Sequence, residues 1–452
     1  MVNTNVESSP ANISHLLRRA GWGGTPADIE RGVEEGIEAT VAGLLDPSTA
    51  PPAGDAHRTD GLEAYSRADF VVWWYHLAVT SPAPGLERLA WFWHGHFATS
   101  FAKVRFPSLL RNQLVSLRRH ATGRFDDLLE LMSHDAAMNL WLDLHTSIVG
   151  QPNENFAREL MELFSLGVDG GYTQSDVGEA GRAFTGYGLA LDPSARFRPV
   201  GTELRPALHD YGTKTVLGVT GELTGRDVIA AIVDRPECHR FVARRFWSRY
   251  AGTVAPDTVV DQLAASFAER LSVADLLTSM LSSEAFYTSD VKAGLVAQPV
   301  ETLVRTLRNF ELPVPDLGDI SFEDTSGQMR ARAAGLLEIS RLLGQVPGAP
   351  PNVGGWPHNE GWLATDTAAG RLIAGTALGA IVAEAETDLS EELRSLAPDE
   401  LAERMIRQFG LVEWSEATFK AAETAAGSER SSAAAVKATF ALVFTSPEVT
   451  LS

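Results

Sequence analysis

The sequence predicts a mainly α-helical protein, and three observations support that fold class. Apolar residues recur at intervals of three and four over most of the 452 residues, as on the buried face of a helix. Runs that alternate apolar and polar residues, which are typical of strands, are few. Only the segment near 190–222 interrupts the helical period for long. It is predicted to be irregular, with candidate short strands at 196–200 and 214–217.

The predicted elements follow in order from their local signals. Residues 1–12 resemble a flexible leader, and the helical segment 13–45 breaks where Thr25 is a candidate N-cap followed by Pro26. Thr173 precedes Asp176 by three residues, which predicts a helix start. That helix is expected to end near residue 187, and the other predicted helices are 61–80, 85–98, 107–121, 124–147, 225–234, 238–250, 256–270, 272–283, 297–309, 327–343, 367–386, 390–409, 415–426 and 430–445. Loops are predicted at 46–60, 311–325 and 347–359.

Composition excludes several classes of partner. The formal net charge is −20, which argues against a nucleic-acid backbone as ligand and disfavours an anionic membrane surface. The single cysteine, Cys238, permits no intrachain disulfide and is expected to be a small buried residue. No run of about 20 apolar residues is present, so no membrane span is expected.

Motifs that the sequence lacks limit the range of cofactors and cellular compartments that it predicts. No Walker A loop, Gly-x-Gly-x-x-Gly turn or Gly-x-Ser-x-Gly elbow occurs, and no nucleotide, haem or flavin is indicated. The N-terminus lacks a basic segment followed by an apolar one, which predicts a cytoplasmic protein without a signal peptide. Export by another route stays open.

One acidic helix is the most informative feature of the chain. At about 100° per residue, a single stripe within residues 153–164 carries three carboxylates, an amide and a guanidinium, namely Glu154, Asn155, Arg158, Glu159 and Glu162. Turned inward, this acidic stripe would form a polar site for a cation, a sugar or an ammonium group. Turned outward, it would be a solvated helix face, which pattern alone favours.

Histidines supply further candidates. His94 and His96 flank Gly95, and on a regular helix two residues at this spacing point about 200° apart, so a kink would be needed for both to bind one ion. The alternative is that one of them only packs among neighbouring aromatic residues. His209 and Asp210 lie in the non-helical segment with Lys214 close behind, where they form either a chemical site or a loop-stabilising turn.

A late loop is also a candidate for ligand contact. Asn352 and Trp356 lie between prolines and glycines, and Trp356 is a candidate aromatic platform for a sugar or a peptide. The alternative interpretation is a surface loop held in place by a buried tryptophan.

Several motifs together resemble the bacterial DUF1800 family, a domain of unknown function. The matching segments, in the family's order, are 16–23, 93–97, 153–164, 170–173, 176–177, 183–186, 209–210, 214, 217–218 and 350–357. The resemblance implies a predominantly helical domain. We expect this domain to cover 13–386, with two lobes at about 13–225 and 226–386, and a C-terminal helical segment, 387–452, to pack on it. Many members carry an export signal, which this chain lacks. The family supplies no reaction.

The first functional hypothesis is a metal-dependent hydrolase with a His/carboxylate site between helices. A divalent metal would activate water, with a glutamate as general base. The metal ligands proposed are His94, His96 and Glu159. The catalytic candidates are Glu159, Glu162, His209 and Asp210. The substrate-binding candidates are Asn155, Arg158, Lys214, Asn352 and Trp356. The substrate would be a small molecule, a saccharide or a peptide, and a metal-free version would use two carboxylates on a glycosidic bond.

Two alternatives stay open at this point. The first is a non-enzymatic binding or assembly protein, in which the polar residues form a structural network with Arg158 paired inside the helical core. The second is a metal-dependent oxidoreductase, because histidine and glutamate serve both hydrolytic and redox metals. The oligomeric state does not follow from the sequence.

Overall fold

The structure is a computed structural model that describes residues 6–50, 66–193, 198–314 and 327–451. Within these ranges it contains 23 α-helices and two small two-stranded sheets, which confirms the mainly α prediction. Residues 1–5 of the predicted leader lie outside the described residues, as do most of the predicted loop 46–60 and most of the predicted excursion 311–325.

The helices of the first half precede the two sheets. They are α1 (Pro10–Ala20), α2 (Pro26–Glu35), α3 (Ile37–Leu45), α4 (Arg67–Thr80), α5 (Pro84–His96), α6 (Pro107–His120), α7 (Phe125–Ser133), α8 (Ala136–Trp141), α9 (Asn155–Glu159) and α10 (Gln174–Ala183). A π-helical turn, Leu160–Ser165, continues α9 directly.

The helices of the second half follow the two sheets. They are α11 (Gly225–Val233), α12 (Pro236–Ala251), α13 (Asp257–Arg270), α14 (Val273–Leu281), α15 (Ser289–Lys292), α16 (Pro299–Asn309), α17 (Gly327–Leu342), α18 (Thr365–Glu384), α19 (Asp388–Ser395), α20 (Pro398–Gln408), α21 (Glu416–Ser428), α22 (Ser432–Phe444) and α23 (Pro447–Thr450).

Side-chain caps fix the helix starts that the sequence predicted. Thr25 and Asp28 form a reciprocal capping box at the start of α2, and Thr173 and Asp176 form another at α10. Helix α1 begins at Pro10 rather than after residue 12, because the Ser9 hydroxyl accepts a hydrogen bond from a main-chain N–H of its first turn. Capping therefore places the start of the first helix three residues before the predicted one.

Two predicted helices are each divided in the structure. The segment 124–147 breaks between α7 and α8, where the Asp135 carboxylate accepts from the Met138 N–H at 2.7 Å and so caps a new helix. The segment 390–409 breaks between α19 and α20 at Pro398, whose ring and missing N–H are tolerated only in a first helical turn.

The segment near 190–222 contains all the strands found in the described ranges. Strand β1 (Tyr187–Asp192) pairs antiparallel with β2 (Arg198–Leu204), and β3 (Lys214–Val216) pairs with β4 (Val219–Gly221). The second hairpin turns at Leu217 and Gly218, both with positive φ, as a two-residue hairpin loop requires. Strands β2 and β3 overlap the predicted segments 196–200 and 214–217, of which residues 196 and 197 lie outside the described residues, whereas β1 and β4 were not predicted.

The apolar core consists of two clusters that meet at α5. One contains Phe92 and Trp93 of α5 with residues from α1–α3 and α9–α14, and the other contains Ala90 and Trp91 with residues from α4, α6, α16, α18 and α20–α22. Helix α5 is therefore buried on nearly every side, including its polar residues. The predicted division into lobes and a C-terminal segment stays a prediction.

No single helix among the described residues is long and apolar enough to cross a membrane. One pair, Thr365–Glu384 with Asp388–Ser395, meets the length and composition requirements jointly, and its two helices are bent by 97° relative to each other.

Candidate functional site

The acidic stripe lies at the surface. Asn155 is exposed, Glu159 and Glu162 are half-buried, and Arg158 donates to the Glu154 carboxylate at 2.9 Å. Burial, and then the neighbouring Glu162, raise the pKa of Glu159 above its ordinary value. The stripe is thus mostly a solvated helix face, and the alternative that placed Arg158 inside the core is wrong about its position.

The two histidines of α5 are buried, and they bond in different directions. His94 Nε2 accepts from the Gly348 N–H at 3.2 Å, whereas His96 Nε2 lies 3.0 Å from the main-chain oxygen of Phe164. Burial lowers the pKa of His94 to about 4. Burial and then Arg245 lower the pKa of His96 to about 3. Both rings are therefore neutral at pH 7.

The predicted metal ligands are not brought together. His94 and His96 make separate contacts, while Glu159 lies on the stripe, and no group of three or more His, Cys, Asp or Glu side chains in the described ranges could hold an ion. The physical reason is the helical period, which turns residues two apart to opposite sides of α5.

The second predicted cluster, His209, Asp210 and Lys214, forms a network of hydrogen bonds within the protein. Asp210 accepts from Arg182 Nε at 2.8 Å, and the buried Lys214 donates to the main-chain oxygens of Asp210 and Gly212 at 2.6 and 2.9 Å. His209 Nδ1 lies 2.8 Å from the Thr185 oxygen. Protein groups thus engage the side chains of Asp210, Lys214 and His209, and the cluster fastens β3 to α10.

A recess beside α5 gathers two of the predicted residues with others that the sequence analysis missed. The recess, about 50 Å³ in volume, lies between α5, α12, the start of α16 and the loop after residue 350. We name it the Arg245 recess. Its lining residues are Trp91, Phe92, Gly95, His96, Arg245, Ser248, Arg249, Gln298, Gly354, Trp356 and His358. The set contains two arginines and two histidines and no carboxylate.

The glycine-rich loop builds one wall of the Arg245 recess. Gly355 has φ +88°, and a Cβ there would come within 2.1 Å of the Gly95 oxygen, so only glycine allows the loop to reach α5. This approach places Trp356 on Trp91, with ring centroids 5.9 Å apart and planes 25° apart. Asn352 is exposed and accepts from the Gly354 N–H at 2.8 Å, which makes it a turn-forming residue.

Helix α12 builds the basic wall. Arg245, Ser248 and Arg249 are spaced i, i+3 and i+4, which places them on one helix face. Arg249 donates to Glu301 at 2.5 Å, but Arg245 makes no hydrogen bond or ion pair with any described residue. Part of the Arg245 side chain is exposed to solvent, while the protein atoms around it on the recess wall exclude enough water to lower its pKa.

Other polar atoms of the recess also lack protein partners. His96 Nδ1 and Trp356 Nε1 are buried with no hydrogen bond to a described residue. His358 Nε2 lies 3.5 Å from the Ser248 hydroxyl, and burial followed by Arg249 lowers its pKa to about 4. The recess therefore combines an unpaired cation with unsatisfied polar groups, which is typical of a site that receives a polar ligand.

The sequence contained one signal for this wall. Residues 244–249 place three arginines, a phenylalanine, a tryptophan and a serine in succession within a chain of net charge −20. The site predicted from the sequence rested on carboxylates and histidines as metal ligands, whereas the structure assembles arginines.

Comparison with known proteins identifies a family for this chain but does not indicate an activity. The family model described as "Protein of unknown function (DUF1800)" matches residues 15–451, nearly the whole chain, which confirms the resemblance drawn from the motifs. No curated protein and no solved structure matches the chain.

Proposed function

We propose that this chain, which belongs to the DUF1800 family, binds a small oxyanion group, a carboxylate, sulfate or phosphate, in the Arg245 recess. The observation that carries the proposal is Arg245 itself, an unpaired guanidinium on the wall of a recess that no carboxylate lines. A guanidinium presents several N–H donors in a planar fork that matches an oxyanion.

The size of the recess limits what enters it. About 50 Å³ is far below the roughly 300–1,000 Å³ of pockets that enclose whole small molecules. An oxyanion headgroup fits this space, and the remainder of a larger ligand would lie outside, past His358 and Gly354, which are both exposed. The proposed ligand is therefore a free small anion or the anionic end of a larger molecule.

This proposal develops the binding-protein alternative of the sequence analysis. Its structural part, a polar network that holds the fold together, is supported by the Asp210–Arg182 pair and by the bonds of Lys214. Its functional part rests on the Arg245 recess.

The metal-dependent hydrolase and the metal-dependent oxidoreductase remain predictions. A divalent metal would need ligands other than the set His94, His96 and Glu159, since these do not converge in the described part of the chain. Metal content of untagged protein, measured beside the Glu159→Gln variant, tests the metal hypotheses independently of the anion proposal.

Isothermal titration calorimetry with sodium sulfate tests the proposed function. We expect binding to weaken about 10- to 100-fold in Arg245→Met, because the variant loses charge-assisted hydrogen bonds worth about 1.5–3 kcal/mol. Arg244→Met is the matched control, since Arg244 is exposed on the same helix and pairs with Asp257 at 3.1 Å. Binding should be unchanged in that control. Absence of sulfate, phosphate and acetate binding to the native protein would overturn the proposal, as would equal affinities in the native protein and Arg245→Met.

A further inference from the structure

A second cationic cluster lies deeper, between α1, α5, α12 and α16. Five guanidiniums interact electrostatically with one another or with the same carboxylate, that of Glu301. They are those of Arg18, Arg19, Arg88, Arg249 and Arg305. Arg19, Arg88 and Arg305 are each at most 3% exposed. So many buried charges of one sign are costly unless a counter-charge accompanies them.

The carboxylates near this cluster do not balance it. Glu301 forms ion pairs with Arg88 and Arg249, and these partners lower its pKa to about 2 although burial alone would raise it. The remaining guanidiniums rely on neutral partners: Arg19 donates to the Val291 oxygen at 2.6 Å, and Arg305 donates to the Val449 oxygen at 2.8 Å.

Arg18 is the least satisfied member of the cluster. It makes no hydrogen bond or ion pair with the described residues, and Glu413 is the one carboxylate that acts on it from a distance. Burial lowers the pKa of Arg18 to about 10. Burial lowers that of Arg305 to about 9, with a further contribution from Arg18. Positive charge therefore exceeds negative charge at this point of the interior.

A small cavity is lined by three residues that have unsatisfied donors. It measures about 10 Å³ and is lined by Arg18, Gly21, Trp22, Ala297, Glu301 and Arg305. Three of these residues carry a buried N–H without a partner, at Nε of Arg18, Nε1 of Trp22 and Nε of Arg305. A cavity of this size admits one small occupant and no polyatomic ligand.

We infer that this cavity binds a single monatomic anion of about the size of chloride. An anion can accept from several N–H groups and offsets the excess positive charge, whereas a water molecule has two lone pairs and brings two hydrogens that need acceptors. The Glu301 carboxylate on the wall is already held by Arg88 and Arg249. The inference is independent of the Arg245 recess, because Arg245 does not line this cavity.

Thermal unfolding in chloride and in gluconate, at constant ionic strength, tests the inference. We expect the Tm of the native protein to rise by about 1 °C for each tenfold increase in chloride above its dissociation constant. Gluconate, which is too large for the cavity, should have no such effect. Arg305→Met should lose the chloride dependence, and Arg245→Met should keep it, which separates this site from the recess.

Arg308→Met is the control for loss of an arginine that donates to main-chain oxygens. Arg308 lies on the same helix, α16, and donates to the main-chain oxygens of Ala78 and Val79 at 3.1 and 2.7 Å, away from the cavity. This variant should start from a lower Tm and still respond to chloride. Equal Tm values of the native protein in chloride and gluconate would overturn the inference, as would a loss of the response in Arg308→Met.

Crystals grown in sodium bromide provide a measurement that does not depend on a variant folding. Bromide resembles chloride and scatters anomalously, so an anomalous peak is expected between Arg18, Trp22 and Arg305. Its absence at a bromide concentration that raises the Tm would place the stabilising ion elsewhere and would refute the site.

Discussion

His96 Nε2 donates to the main-chain oxygen of Phe164 at 3.0 Å, and this bond joins the Arg245 recess to the end of the π-helical turn. The carbonyl accepts, so the neutral ring carries its proton on Nε2. Its Nδ1 is buried without a partner among the described residues. Nδ1 therefore carries the lone pair at which this ring would be protonated.

Sulfate binding should become tighter as the pH falls from 7 to 5. In the free protein the pKa values of His96 and His358 are about 3 and about 4, so both rings are neutral. Bound sulfate raises these values, and binding then takes up protons below the raised pKa. Calorimetry in two buffers of different ionisation enthalpy measures this uptake. A pH-independent affinity with no proton uptake would contradict the expectation.

Gly355→Ala should destabilise the protein by about 2–4 kcal/mol and weaken sulfate binding. The added Cβ meets the Gly95 oxygen, and a positive φ is strained for alanine, so the loop withdraws from α5. Gly43→Ala is the control. Gly43 lies on helix α3, and a Cβ added there would meet nothing within 4 Å. Alanine should therefore stabilise the helix by about 0.5–1 kcal/mol. Chemical denaturation measures both changes, and equal stabilities of the two variants would show that the close approach is unimportant.

Asp135→Asn should stabilise the protein at pH 7 by about 1–2 kcal/mol, after allowance for partial solvent contact. Burial raises the folded-state pKa of Asp135 to about 6, above the unfolded value of about 3.9. Its ionisation therefore costs stability as the pH rises from 4 to 6. Asparagine removes that charge and still caps α8.

Asp210→Asn should change the free energy of unfolding in the opposite direction to Asp135→Asn. The hydrogen bond from Arg182 lowers the pKa of Asp210, so this carboxylate contributes stability at neutral pH that is lost as the pH falls through the lowered pKa. Urea denaturation at pH 5 and pH 7 should give changes of opposite sign for the two variants. Changes of the same sign would refute the assignment of Asp135.

Glu159→Gln should change the free energy of unfolding by no more than about 0.5 kcal/mol. Glu159 is half-buried on the acidic stripe beside Glu162, and removing one of two like charges relieves repulsion. Sulfate affinity should also be unchanged, because Glu159 does not line the Arg245 recess. Thermal unfolding and sulfate titration of the variant measure both quantities. A large loss of stability would indicate that Glu159 anchors a site not visible in its present contacts.

Local signals carried most of what could be predicted from the sequence. The capping boxes at Thr25 and Thr173 are formed as expected, and the segment with the strands is where the helical period fails. The missed boundaries, at Asp135 and Pro398, depend on single residues that compete with an otherwise continuous helical pattern.

The sequence by itself determined the helical class, the helix starts and the family, because helical period, capping and motif order are properties of neighbouring residues. Only the tertiary structure decided which polar residues meet. A helix pattern shows that the acidic stripe is polar but not what packs against it, and the stripe remains at the surface. His96, Arg245 and Trp356 are far apart in the chain, and packing of α5 between the two core clusters brings them to one recess.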